Sequence, residues 1–397
     1  MGYKMGGLFE GFQNWLHKNR ELLLSAFPNN EKEDKETEVS LTELPLSLKS
    51  KLVAAIENLP SNDAGLEAIH SKLDEALEEW HENPKTADNS LIILSSPVTT
   101  VSRILTNNLN NWAANSEIPL RYLQLNGRPA QKNIITELRE QLDREEAFTE
   151  AKQPEIVVIP NLNWCYLRCF EGLEGIDYIQ DVLLQDRTRF WVIGSGLVGW
   201  QYLNCISNFE AYCGNSLILP ELEGEQLKTW LQPIVDEFEI SFAEPDLENN
   251  NTVKQQYKEL QYNQTKYFNR LASVSQGISS VAVQIFLQSI CYEPVESNTE
   301  EHSGLLRVKT PELPSLNRLE QHDLYVLYSL LLHGDLTLSA LADSLGDPQS
   351  SIKGRVRVLQ RVELIQQQDD TLSVNTIHYP RLKKELDNNN FIIDESD

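Results

Sequence analysis

The sequence predicts an α/β protein. It would have a five-stranded parallel sheet with helices on both faces, then a helical segment, a smaller C-terminal helix–strand domain, and helices ahead of the sheet. Three observations carry that expectation. Five short strand-like runs, 91–94, 120–125, 156–159, 190–193 and 217–219, alternate with helical patterns, and the wholly apolar ones among them belong to a sheet covered on both faces. Helical periodicity then holds from 224 to 290. Between 316 and 386, three helical patterns precede two short strands that flank Asp369-Asp370, a hairpin turn.

The chain has 397 residues, enough for two or three domains, and its 41% hydrophobic content excludes global disorder. Lys plus Arg number 34 against 59 Asp plus Glu, a net charge of −25. That balance argues against non-specific coating of nucleic acid, which needs a basic surface to release counterions. The five cysteines (165, 169, 205, 213 and 291) are too few and too scattered for a disulfide framework or a zinc site, and read as reduced thiols in a cytoplasmic protein. The seven histidines show no H-x3-H pair, so no metal is expected. No apolar run reaches the length of a membrane span, and the charged start lacks the apolar stretch of a signal peptide.

Residues 1–27 contain an amphipathic helix. Phe9, Phe12, Trp15 and Leu16 lie close to one face, and Lys18 and Arg20 lie beyond. Such a helix would dock onto a partner or onto the chain's own core, with contact at a membrane surface as the second reading. Glu10 and Glu21 on the polar face weaken the attraction to anionic lipid. Residues 28–44 form a charged linker, and 45–85 return to helical periodicity, broken near Pro60-Ser61-Asn62 and reopened by Asp63. The α/β core spans 88–222, with helices over 101–114, 130–148, 176–184 and 199–206 between its strands. A helical segment over 223–291 follows, with 243–256 as a long loop or insertion. The stretch 292–315, with three prolines and several acids, reads as a second linker, and 387–397 as an acidic, frayed tail.

This order of strands, helices and a helical lid resembles that of the AAA+ and STAND P-loop ATPases, above all those carrying a winged helix after the lid. The likeness covers about 88–386. It implies a P-loop-type sheet, a lid over 223–291 and a nucleotide site after the first strand. The motifs of that site are degenerate. A phosphate loop needs glycines so that backbone N–H groups can curl around phosphate, a lysine to reach the terminal phosphates, and Ser or Thr for magnesium. With Ser95 at the first glycine, Thr100, Val101 and Ser102 fall where Gly, Lys and Ser/Thr belong, and only Ser102 matches. No glycine lies between Leu66 and Asn126, and Pro97 and its β-branched neighbours cannot make the turns the loop requires. The run 156–159 should end in an acidic pair and is followed by Pro160-Asn161 instead. Ser195 could serve as the polar residue after the run 190–193.

The resemblance therefore implies a pseudo-ATPase without catalytic residues or cofactor; the alternative is a doubly wound domain that never bound nucleotide. Gly194-Ser195-Gly196-Leu197-Val198-Gly199 matches a dinucleotide fingerprint but follows the fourth run rather than the first, and it lacks the expected downstream acid. The simpler reading is that these glycines let the chain turn and the next helix pack closely. Trp164, Trp191 and Trp200 read as core, or else as the lining of a partner groove.

Residues 316–386 resemble winged-helix regulators of the MarR kind. Gln349 to Val362 would be the recognition helix, with Lys353, Arg357 and Arg361 at i, i+4 and i+8, and Arg355 beside them. In DNA binding that stripe would face phosphates and base edges. From Arg318 to Glu385, however, there are eight basic and nine acidic residues, and the wing tip carries Asp369-Asp370 rather than arginine. The reading reached from sequence is a non-catalytic cytoplasmic regulator or scaffold with a protein partner, with a peripheral place at a membrane as a variant. A DNA-reading regulator is one alternative. A nucleotide sensor using Ser102 and Ser195 without hydrolysis is another.

Overall fold

The computed structural model describes residues 44–83, 86–113, 118–125, 127–130, 133–143, 154–242, 253–294 and 304–391. The described chain falls into two compact units, one from parts of Met1–Pro60, Glu221–Ser315 and Thr376–Pro380, the other from Ser61–Pro220, Leu316–Asn375 and Arg381–Asp397. The N-terminal helix with Phe9, Phe12, Trp15 and Leu16 lies outside the described residues.

The second unit contains the sheet. Its strands are β1 (Ser90–Ser95), β2 (Leu120–Tyr122), β3 (Glu155–Ile159), β4 (Arg189–Gly196) and β5 (Ser216–Ile218), all parallel, in the order β2-β3-β4-β1-β5. The two long central strands are buried along their whole length, which is why their sequences are continuous apolar runs. The pleat divides the core into two layers. Leu91, Ile93, Ile156, Val158, Phe190 and Val192 pack on one face, against Ile69, Leu73, Leu77 and Trp80 of α2 (Asp63–Glu82) and Val101, Leu105 and Leu109 of α3 (Val101–Ala113). Ile92, Leu94, Val157, Ile159, Trp191 and Ile193 face the opposite layer of α4 (Ile134–Leu142), α5 (Glu174–Gln185) and α6 (Leu197–Ser207). Each fully buried aliphatic side chain stabilises the fold by about 1.5–3 kcal/mol relative to exposure. Asn62 opens α2 by accepting a hydrogen bond from the Gly65 N–H at 2.8 Å.

The same unit holds the C-terminal elements α10 (Gln321–His333), α11 (Leu338–Leu345) and α12 (Gln349–Arg361). A three-stranded antiparallel sheet, β8 (Leu336–Thr337), β10 (Thr371–Val374) and β9 (Ile365–Gln368), completes them. The strand β8 was not expected from its two-residue length. The last helix, α13 (Tyr379–Asn388), runs into the stretch expected to be a frayed tail. After it, the Phe391 ring lies 5.2 Å from Tyr325 and 5.0 Å from Tyr328, so the described part of that tail is packed.

The first unit contains α1 (Leu46–Glu57), α7 (Gly224–Glu237), α8 (Val253–Ser275) and α9 (Ser279–Ser289). Rings of Phe242, Tyr267, Phe268 and Phe286 pack together there, and the Trp230 indole donates to the Pro60 carbonyl at 2.8 Å. Two expectations are corrected. Part of the proposed loop 243–256 is helical, since α8 starts at Val253. The proposed linker 292–315 contains most of an antiparallel hairpin, β6 (Ile290–Pro294) with β7 (Gly304–Val308). Ile290 and Leu306, which share one face of it, are buried, and the surrounding acids and prolines masked that short alternation.

Candidate functional site

In open α/β sheets, ligands bind outside the carboxyl ends of the strands. Here the ends of β1 and β4 are neighbours, with Leu94 beside Ser195 and Ser95 beside Gly196. Ser95 is buried, and its hydroxyl donates to the carbonyls of Ser96 and Thr99, each at 3.2 Å. The Thr99 N–H returns to the Ser96 carbonyl at 2.9 Å. The residues between β1 and α3 therefore form a turn closed on itself around Pro97, whose ring fixes φ and supplies no N–H. A phosphate cradle needs the opposite, successive N–H groups turned inward and unspent. Thr100 is exposed and Ser102 half-buried in the first turn of α3, where its carbonyl accepts from the Thr106 hydroxyl at 2.7 Å. Of the sequence-predicted set, the fold brings Ser95 and Ser195 together. Asn161 caps the short 3-10 turn Leu162–Cys165, accepting from the Asn163 N–H at 3.2 Å.

What stands at this edge is the C-terminal end of α10. The Ser195 hydroxyl donates to the Asn163 side-chain oxygen at 2.8 Å, and the Asn163 Nδ2 donates to the Leu332 carbonyl at 3.0 Å. The Tyr166 hydroxyl donates to the same carbonyl at 3.2 Å. Arg128 Nη2 donates to the His333 carbonyl at 3.1 Å, and its Nη1 to the Tyr166 carbonyl. The Arg168 N–H donates to His333 Nε2 at 3.3 Å, while its Nε and Nη2 reach the Ser344 carbonyl at the end of α11. The Trp164 indole donates to Asp335 at 2.7 Å. The last carbonyls of a helix have no partner within it and carry the negative end of its dipole. One loop of the core, 163–168, together with Arg128, supplies donors and positive charge to two such helix ends.

The glycine motif belongs to this packing. A Cβ on Gly194 would stand 2.6 Å from the Pro160 carbonyl oxygen. One on Gly199 would stand 2.8 Å from each of the Leu332 oxygen, the Asn163 Nδ2 and the Tyr166 hydroxyl. These glycines allow close approach of protein to protein, at Pro160 and at the end of α10. Trp191 and Trp200 are buried in the core, and Trp164 reaches Asp335 of the C-terminal elements.

Burial shapes the electrostatics. It pushes the Cys165 thiol up to about 12 against the pull of Arg128, and it also raises the Tyr166 hydroxyl. His333 is fully buried, its Nδ1 has no hydrogen-bond partner among the described residues, and burial with Arg128 and Arg168 nearby holds its pKa well below 6.5. Burial also lowers Arg128, with Asp335 opposing that shift.

The basic stripe of α12 is smaller than its sequence implied. Arg355 is drawn to Asp323 at 2.7 Å and Glu320 at 3.3 Å, leaving Lys353, Arg357 and Arg361 exposed with Val358 between them. Among the described residues no group of three or more His, Cys, Asp or Glu side chains is placed to hold a metal. No helix among them is long and apolar enough to cross a membrane.

No protein-family model and no curated protein matches the chain. Among solved structures it is similar to a RuvB variant of Thermotoga maritima, at 13% identity and TM-score 0.34, covering 83% of this chain and 96% of that one. It is also similar to the ORC1 protein of Aeropyrum pernix, solved in complex with DNA, at 12% identity and TM-score 0.35, covering 83% and 94%. The ORC2 protein of the same organism, in its ADPNP–ADP complexes, matches at 11% identity and TM-score 0.32, covering 81% and 92%. The chain's own five-stranded parallel sheet, with a layer of helices packed on each face, makes this a doubly wound α/β core.

Proposed function

We propose that the chain is a non-catalytic relative of the AAA+ ATPases, a regulator or scaffold that acts through protein contacts. The observation that carries this reading is the turn after β1. Its geometry is spent on internal hydrogen bonds between Ser95, Ser96 and Thr99, where nucleotide chemistry needs an open cradle and a lysine. The missing acid after β3 supports the same reading, because Asn161 cannot balance magnesium charge as a carboxylate does. In this reading the C-terminal elements α10 to β10 are a winged helix that presents a surface to a protein partner. Residues 1–27 are a tether to that partner or to a membrane surface.

The test is thermal unfolding of the full chain with and without millimolar Mg-ATP, ADP and GTP. Ligand bound only to the folded state must raise stability, so the expected result is no shift. A rise above about 1 °C with one nucleotide overturns the reading. It would favour a sensor built around Ser102 and Ser195.

A second reading, sequence-specific DNA contact, draws on the exposed Lys353, Arg357 and Arg361. It requires affinity that falls steeply with salt and is lost in Arg357→Glu.

A further inference from the structure

Two helices of the second unit carry exposed stripes of opposite charge. On α12, Lys353, Arg357 and Arg361 recur at i, i+4 and i+8, away from the buried Ile352, Val356 and Leu359. On α5, Glu174, Asp177 and Asp181 recur at i, i+3 and i+7, away from the buried Ile176, Ile179 and Leu183. At about 1.5 Å per residue, the stripes run about 12 and about 10 Å. Among the described residues none of the six forms a salt bridge, whereas Arg355 on α12 is taken up by Asp323 and Glu320. Apolar surface lies beside each stripe. Val358 of α12 is 56% exposed, Leu184 at the end of α5 is 52% exposed, and Phe170 in the loop before α5 is 89% exposed. Gly354 sits inside α12, where an added Cβ would meet nothing within 4 Å. Glycine weakens a helix relative to alanine, and the chain's own packing does not call for one here. A second backbone laid along α12 would.

We infer that α12 docks on α5 of a second copy of this chain. The lysine and two arginines of one copy meet the three carboxylates of the other, the apolar residues beside them leave water together, and Gly354 lets the helices approach. Charge decides the occupant. Nucleic acid or anionic lipid would account for the basic stripe alone and would be repelled by the acidic one. A second copy accounts for both, with stripes of matched length. The two surfaces differ, so the contact is head to tail and adds copies in series unless its rotation closes a ring. This rests on the reading of α12 as a protein-contact surface and names its partner. It does not depend on whether the core binds nucleotide.

Sedimentation velocity of the full chain from about 1 to about 100 μM, the range of modest affinities, tests the contact. At about 0.15 M salt the average mass should rise with concentration. At about 1 M salt, where charges are screened beyond about 3 Å, it should fall back toward the monomer. Asp177→Lys and Arg357→Glu should each weaken association by roughly tenfold or more. An equimolar mixture of the two should regain it, because it pairs an unaltered α12 with an unaltered α5. If either variant melts early, Asp181→Lys and Lys353→Glu replace the pair. A chain that stays monomeric at about 0.15 M salt overturns the inference. So does self-association that neither variant weakens, and so does a mixture that associates no better than its parts. A monomeric chain that binds DNA and loses it in Arg357→Glu would assign the stripe to nucleic acid instead. Mass does not report on nucleotide, so failure here leaves the thermal-unfolding test of the non-catalytic reading intact.

Discussion

Arg168 donates from both Nε and Nη2 to the carbonyl of Ser344, at 3.3 and 3.2 Å, across 176 positions of sequence. A guanidinium placed on one of a helix's last carbonyls both satisfies an orphan acceptor and opposes the dipole. The same residue's N–H holds the His333 ring, so two helices are fixed through one side of one residue.

Replacing Arg168 with Met should cost about 1.5–3 kcal/mol in urea unfolding, the range for losing hydrogen bonds made by a charged group. Arg168→Lys should recover only part of that loss, because an ammonium lacks the planar fork. Full recovery by Lys would mean that charge alone matters at this position.

His333 gives the protein a pH dependence of known sign. Its pKa lies well below 6.5 in the folded chain. Below pH 6.5 the unfolded chain therefore takes up a proton that the folded chain refuses. This contribution is fully present above pH 6.5 and falls as pH drops toward the depressed folded value, by up to about 1.4 kcal/mol per pH unit. Urea unfolding at about pH 7.5 and about pH 5.5 should show a steeper loss for the unaltered chain than for His333→Gln. Identical slopes would show that His333 takes its proton as readily folded as unfolded.

The four basic residues of α12 should separate by role. Arg355→Ala should lower stability by about 0.5–1 kcal/mol, in keeping with partly exposed ion pairs. Arg357→Ala should leave it within about 0.5 kcal/mol. Comparing the two melting temperatures checks this, and a larger loss for Arg357 would place it in the packing of the helix rather than on its surface.

Thiol chemistry offers a simple check of burial. All five cysteines are free, Cys205 is exposed, and burial raises Cys165 to about 12. A thiol reagent near neutral pH should label Cys205 first and leave Cys165 unmodified until urea opens the core. Early labelling of Cys165 by peptide mapping would mean that the α5 layer opens readily.

Much of the architecture is legible in the residues. The runs 91–94, 156–159 and 190–193 announce themselves because strands buried on both faces have no reason to alternate. The edge strands β2 and β5 are three residues each and only partly buried, so their sequences carry a weaker signal. The hairpin 290–308 was hidden by composition. The hydrogen-bonded contact at the carboxyl edge was hidden for a different reason. Its acceptors are mainly backbone carbonyls, which every residue has, and its members lie 165 to 205 positions from their partners. The one available hint was local. Asn163, Trp164, Tyr166 and Arg168, all strong side-chain donors, follow the third run where the family pattern expects acids. Arg128 and His333 carry no comparable signal.

The division of the second unit into separate stretches of chain has a consequence for its birth on the ribosome. The sheet draws only on residues up to Ile218, so it can form early from neighbouring βα units. Arg128, however, must wait for a residue 205 positions later. At about 5–20 residues per second, that is a delay of roughly 10–40 s. Throughout it the nascent core presents a row of unmet donors to the cell.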